Sequence, residues 1–347
     1  MTTPVAATPS LKTRAGTVIK FSFFLGLGLL IIWLSIKNLT ADERSQIAHS
    51  FRIANYWWVV LSIALGILSH LLRALRWKFL LEPMGFHPSL KNTFFAVMVG
   101  YFANMAFPRL GEVTRCGILT RYEKIPFNKS FGTVITERAL DMIIFLLLFF
   151  LMVFSQAGII SDYLDHNIYP KLVEKFGALH YSRILFATLG SIALLFLLIA
   201  FILRRRIRSL TIYKKVLHLF LGFWEGLKSL SQIRKPILFT IYSLGIWALY
   251  FLMLYVIFFC FIETSGLGLG SGLSALVLGS VGIMVTPGGI GLYPAIIQET
   301  LMLYGIAKPV GLALGWIAWT AQTAMITIVG SISLLLLSFN KKTNETP

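Results

Sequence analysis

The chain has 347 residues, 57% apolar, 14% aromatic and 13% charged, and its 31 Lys and Arg against 14 Asp and Glu give a net charge of +17. A water-soluble domain carries about 25% charged residues, and a nucleic-acid-binding domain spreads its basic groups over a mixed surface; neither fits, and runs such as IIFLLLFFLMVF make the bilayer the principal solvent. Two isolated cysteines, Cys116 and Cys260, and six scattered histidines supply neither a disulfide framework nor a chelating pair, so no metal or cofactor is expected.

The basic N-terminus leads into an apolar run over 21–36 with no small-residue cleavage site after it, which predicts an uncleaved first helix over 18–36. Further stretches of about 20 apolar residues, the length that crosses a roughly 30 Å hydrocarbon core, lie at 56–81, 132–155, 184–203, 236–261 and 311–338. Arg73 and Arg76 fall near the end of the second stretch and are expected to snorkel to headgroups. Trp57, Trp58, Trp247, Trp316 and Trp319 read as belt or packing residues. Two more apolar regions, 92–120 and 272–306, are broken by FPRLGE and TPGGIG. Each first arm of about 15 residues makes roughly 22 Å of helix, short for a crossing. Proline and glycine at the breaks predict re-entrant hairpins with tips buried in protein. The expected fold is an all-α polytopic membrane protein of six full transmembrane helices plus two re-entrant hairpins, a single membrane domain over 1–347.

Charge tests that arrangement. With a cytoplasmic N-terminus and both hairpins returning to their side of entry, 21 Lys and Arg fall on the cytoplasmic side and seven on the other, as the positive-inside rule requires. Both termini are then cytoplasmic, in a bacterial or archaeal cell membrane. Segment 204–235 carries an apolar face beside Lys214, Lys215, Lys228 and Arg234. It reads equally as an interfacial helix on anionic headgroups or as an ordinary connecting helix.

A shift of 179 positions aligns 96–108 with 275–287, matching Ala96/Ala275, Gly100/Gly279, Met105/Met284 and Pro108/Pro287. Each half, 18–157 and 183–338, then reads as span, span, broken hairpin, span. Three crossings per half make the halves oppositely oriented, a construction in which transport sites form where broken elements meet.

Ionisable residues at membrane depth cost about 2.5–3.5 kcal/mol each on insertion scales and tend to be paired. Arg109, Glu112 and Arg115 lie in the first hairpin, and Glu137, Arg138 and Asp141 in the following span. Three cations and three anions form either a structural tie or a site at which Arg109 or Arg115 exchanges its carboxylate for a lipid phosphate. The second hairpin offers backbone at Pro287, Gly288, Gly289 and Gly291, either as an anion site or as a tight turn. Glu299 in its second arm is a candidate for neutralising a basic group.

The segments FPRLGEVTR, ITERALD and TPGGIGLYPAIIQETLMLYGI, in this order, resemble the transmembrane, flippase-like region of the lysylphosphatidylglycerol synthase family over about residues 15–338. The resemblance falls on Pro108, Arg109, Gly111, Glu112 and Arg115, on Glu137, Arg138 and Asp141, and on Pro287, Gly288, Gly289 and Gly291. Many members carry a glutamate where this chain has Tyr293. The family's full-length synthases add a soluble aminoacyl-transferase domain, and no such domain is expected here. What the resemblance implies is translocation of a phospholipid or isoprenoid-linked lipid, without catalysis and with a separate lipid-modifying enzyme as partner. A membrane enzyme using Glu137 and Asp141 as acid and base, or an accessory subunit of lipid or envelope glycolipid synthesis, stands as the alternative.

Overall fold

Long apolar runs bounded by capping residues fold here into long helices. The computed structural model describes residues 37, 40–106, 109–163, 233 and 235–343. The expected spans 18–36 and 184–203, and nearly all of segment 204–235, lie outside the described residues, among which all regular structure is helical.

Helix α1 (Ala41–Ile53) starts on Thr40, whose hydroxyl accepts the Glu43 amide while the Glu43 carboxylate accepts the Thr40 amide at 2.8 Å. This reciprocal box satisfies two amides that the helix leaves without partners. Helix α2 (Tyr56–Leu81) starts on Asn55, whose side-chain oxygen accepts the Trp57 amide. Next come α3 (Leu90–Ala106), α4 (Leu110–Glu123), α5 (Phe127–Ser155) and the short α6 (Ala157–Tyr163). Helix α7 (Pro236–Tyr255) runs on as a 3-10 turn over Val256–Cys260, followed by α8 (Ile262–Ser265), α9 (Leu269–Val285), α10 (Leu292–Met302) and α11 (Lys308–Thr343).

Four stretches are long and apolar enough to cross a membrane: Tyr56–Met84, Phe127–Ser155, Pro236–Cys260 and Lys308–Phe339. They are the four expected crossings that fall within the described residues. Two begin earlier than the apolar pattern suggests. Helix α5 starts directly after Pro126, whose carbonyl accepts the Lys129 and Ser130 amides, and α11 takes in Lys308 with Pro309 in its first turn, where proline suits the helix.

The chain divides into two units, Met1–Val134 with Ile233–Pro347 and Ile135–Gln232, the boundary falling inside α5. In the first unit α2 packs on α7 and α3, α3 on α4, α9 on α10, and α11 on α10, α3, α2 and α1. Ala74, Trp77, Leu81, Met98, Ile246, Ile257, Ile297 and Leu314 are buried among these helices. Ile237, Ile241, Leu244, Ile328, Leu335 and Phe339 are exposed, an apolar surface that water would not tolerate and lipid solvates. Two interhelical details recur below. The Ser62 hydroxyl donates to the Met253 carbonyl at 2.7 Å, joining α2 to α7. A side-chain carbon on Gly66 would lie 2.8 Å from Met325 Sδ and 3.0 Å from Met253 Sδ, so α2, α7 and α11 meet on two thioethers.

Helix bounds repeat along the chain. Shifted by 179 positions, Leu90–Ala106 falls on Leu269–Val285, the ends of α4 and α10 coincide at Glu123 and Met302, and Leu81 falls on Cys260.

Candidate functional site

At the first hairpin, Arg109 sits at φ 67°, ψ 3°, just ahead of α4. The left-handed region crowds the Cβ of an L-residue against the following carbonyl and costs about 1–2 kcal/mol. The Asn104 side chain accepts the Gly111 amide at 2.6 Å, satisfying a donor that the first turn of α4 leaves open. A Cβ on Gly111 would collide with the Gly100 carbonyl oxygen and the Asn104 amide, and one on Gly100 would lie 3.0 Å from the Gly111 oxygen. Glycine at both positions lets α3 and α4 touch backbone to backbone. Arg109 is exposed, Glu112 half-buried and Arg115 buried. The Arg115 guanidinium lies 4.7 Å from the Trp77 ring centre, within cation–π range. Pro108 lies outside the described residues. Burial of the hairpin tip in protein was the expectation; at Arg109 and Leu110 the tip is exposed, because the turn itself aims these side chains away from the α3–α4 contact.

The second tip is a turn over Pro287–Gly289 with Gly288 at φ 61°, ψ 13°, and with Gly289 and Gly291 also at positive φ. Here Pro287 and Gly289 are buried. Trp319 Nε1 on α11 donates to the Gly288 carbonyl at 2.7 Å, so this tryptophan anchors the tip rather than serving a belt. Tyr293 is buried against Gly279, Gly282 and Gly289 and fills the interior of the α9–α10 pair. Glu299 is exposed and accepts the Gln298 side-chain amide at 2.8 Å. The Pro287–Gly289 turn packs on α3, and a Cβ on Gly288 would lie 3.9 Å from Met105 Cγ. The second break therefore lies against the helix that leads into the first.

Arg73 and Arg76 correct the sequence reading. They do not snorkel: they are 3% and 0% exposed, and His70 is 3% exposed. Arg73 donates through Nε and Nη2 to the Tyr250 hydroxyl at 3.3 and 3.1 Å, and its guanidinium lies 5.8 and 5.9 Å from the Tyr101 and Tyr250 ring centres. Arg76 Nη1 donates to Ser243 at 3.4 Å. His70 meets the Tyr101 ring at a tilt of 43° with centroids 4.6 Å apart, and Trp77 Nε1 donates to Thr133 at 2.8 Å. Distance from the end of the span suggested solvent, but face decides: positions 70, 73 and 77 share one side of a 3.6-residue helix, with 76 adjacent, and that side turns to α3 and α7. Polar residues at such a spacing on one face of an apolar helix are the signal that finds them.

In the second unit, Glu137 and Asp141 are buried one turn apart on α5, and Arg138 between them is exposed. Three arginines at 3% exposure or less thus lie within helices of the first unit, and two buried carboxylates within the second.

The description "Lysylphosphatidylglycerol synthase TM region" matches residues 18–330. The UPF0104 membrane protein MJ1595 of Methanocaldococcus jannaschii is 38% identical over 92 residues, which cover 26% of this chain and 27% of that protein's length. A UPF0104 membrane protein of Methanothermobacter thermautotrophicus is 25% identical over 313 residues, 82% of this chain and 87% of the relative. No solved structure matches. With buried arginines on apolar helices, broken helix pairs at the expected motifs and a match over nearly its whole length, this membrane protein belongs to the family of the lysylphosphatidylglycerol synthase TM region.

Proposed function

We propose that the chain is a lipid translocator, which moves a phospholipid or isoprenoid-linked headgroup across the bilayer past the two hairpin tips. One observation carries this reading: Arg73 and Arg76 are buried on the apolar helix α2 and Arg115 on α4, which starts directly after the exposed Arg109. Charge held at membrane depth is costly and in membrane proteins marks transport paths. The coinciding helix bounds and the matching backbone of Arg109 and Gly288 support a duplicated half, and inverted duplicates commonly place a transport site at their broken helices. On this reading the chain has six crossings with two re-entrant hairpins, both termini are cytoplasmic, and a separate enzyme modifies or supplies the lipid.

Purified protein reconstituted into vesicles carrying a fluorescent phospholipid tests it. Addition of dithionite quenches only the outer leaflet, so a translocator exposes more than half of the label. The expected result is near-complete quenching with wild-type protein and slower quenching with Glu112→Gln. Quenching no faster than in protein-free vesicles sinks the proposal. The lipid is moved without being altered, so mass spectrometry of the recovered lipid should return its starting mass; a changed mass would favour the enzyme alternative, with Glu137 and Asp141 as its acid and base.

A further inference from the structure

Setting the two hairpins in register brings out a difference at the tip. At the shift of 179 positions Arg109 falls on Gly288, and their backbones agree, φ 67°, ψ 3° against φ 61°, ψ 13°. Glycine enters this region freely, and the second tip uses it. The first tip holds the same conformation with an arginine, against the steric preference of any L-residue. At the second tip Gly288 takes this conformation with no side chain at all. The guanidinium does not serve as packing, because Arg109 is exposed, with Leu110 and Val113 exposed beside it. Arg115, the other arginine of the same hairpin, is buried against Trp77. A long cation held on a strained, exposed turn among apolar side chains faces a ligand with an anionic head and apolar tails. A phosphate diester is that head, and a guanidinium grips it with two parallel hydrogen bonds.

The geometry points to Arg109, and not Arg115, as the residue that contacts the lipid phosphate, its backbone held in the left-handed region to present the guanidinium at the hairpin tip. This assignment deepens the translocator reading and rests on it for the presence of a phosphate-bearing lipid at the tips.

Three proteins in nanodiscs test it: wild type, Arg109→Gly and Arg109→Lys. Each is measured for thermal unfolding and for retention of fluorescent phosphatidylglycerol against diacylglycerol with the same chains and no phosphate. Arg109→Gly relieves the backbone, so its unfolding midpoint should rise by about 2–4 °C. Its retention of phosphatidylglycerol should fall tenfold or more, with diacylglycerol unchanged. Arg109→Lys keeps the charge without the fork and should retain an intermediate amount. Equal retention of phosphatidylglycerol by Arg109→Gly overturns the assignment. So does a lowered midpoint with loss of both lipids, which would make Arg109 structural, or a wild type with no preference for the phosphate-bearing lipid. A wild type that retains phosphatidylglycerol in an Arg109-dependent way but moves none in vesicles defeats translocation and leaves the assignment standing.

Discussion

Trp77 is 0% exposed, donates its ring nitrogen to Thr133 and carries the Arg115 guanidinium against its face. Replacing it separates these contributions. Trp77→Ala opens a cavity and leaves a buried cation without its ring, a loss of about 3–5 kcal/mol. Trp77→Phe keeps a ring for Arg115 but forfeits the hydrogen bond, about 1 kcal/mol. Thermal unfolding in detergent should order the three as wild type, Phe, Ala; an Ala variant as stable as the Phe variant would show that Arg115 does not depend on the ring. At this scale the sequence motifs were informative where chemistry is local. Gly111 and Arg109 stand out because a glycine and a charge beside a proline at a helix break have few structural reasons to be there. Arg73 and Arg76 were misread because distance to the end of a span was weighed and helical face was not. Tyr101, Tyr250 and Ser243, which receive them, carry no mark of their own among the chain's other tyrosines and serines.

Among the elements, α1 offers a clean test of local chemistry. Its capping box holds the partly exposed Glu43 carboxyl below its ordinary value of 4.5, chiefly because the carboxylate accepts the Thr40 amide, with Lys308 nearby at 3.9 Å also favouring the charged form. A carboxyl with a depressed folded-state pKa stabilises the fold above its unfolded pKa and stops doing so as pH falls through the folded value. Amide exchange in the first turn of α1 should therefore accelerate below pH 4.5 relative to the rest of the helix. Glu43→Gln should show no such acceleration, and an unchanged profile in wild type would mean that the box does not hold the helix end. The hairpins show what patterning reveals at the level of elements. Their breaks were legible because proline and clustered glycine interrupt an apolar run. That Trp319 anchors one tip and Asn104 caps the other was not, because both partners are distant in sequence or unremarkable in type.

For the molecule as a whole, the 179-residue shift pairs structurally alike positions that differ in charge. His70, Arg73, Arg76, Arg109, Glu112 and Arg115 fall on Leu249, Leu252, Tyr255, Gly288, Gly291 and Pro294. At the tips, one segment carries ionisable side chains at positions where the other carries glycine and proline. Orientation across the bilayer is open to direct measurement. His87→Cys and Asn128→Cys, both exposed and flanking the α3–α4 pair, should react with a membrane-impermeant maleimide from the same side, with the buried Cys116 and Cys260 first replaced by serine. Labelling from opposite sides would show that α3 and α4 together make a single crossing. The positive-inside count supports the first outcome, and helix length alone could not decide it, because a broken pair of about 30 residues fits either arrangement.

The contact at Gly66 bears on motion. A joint built from branched side chains has one good fit, and sliding the helices would trade it for voids. Thioethers on flexible stems refill the space as neighbours shift. With Met253 and Met325 seated over a glycine, the contact of α2, α7 and α11 is made by side chains that adapt to small changes in spacing, one turn of helix from the Tyr250 hydroxyl that holds Arg73.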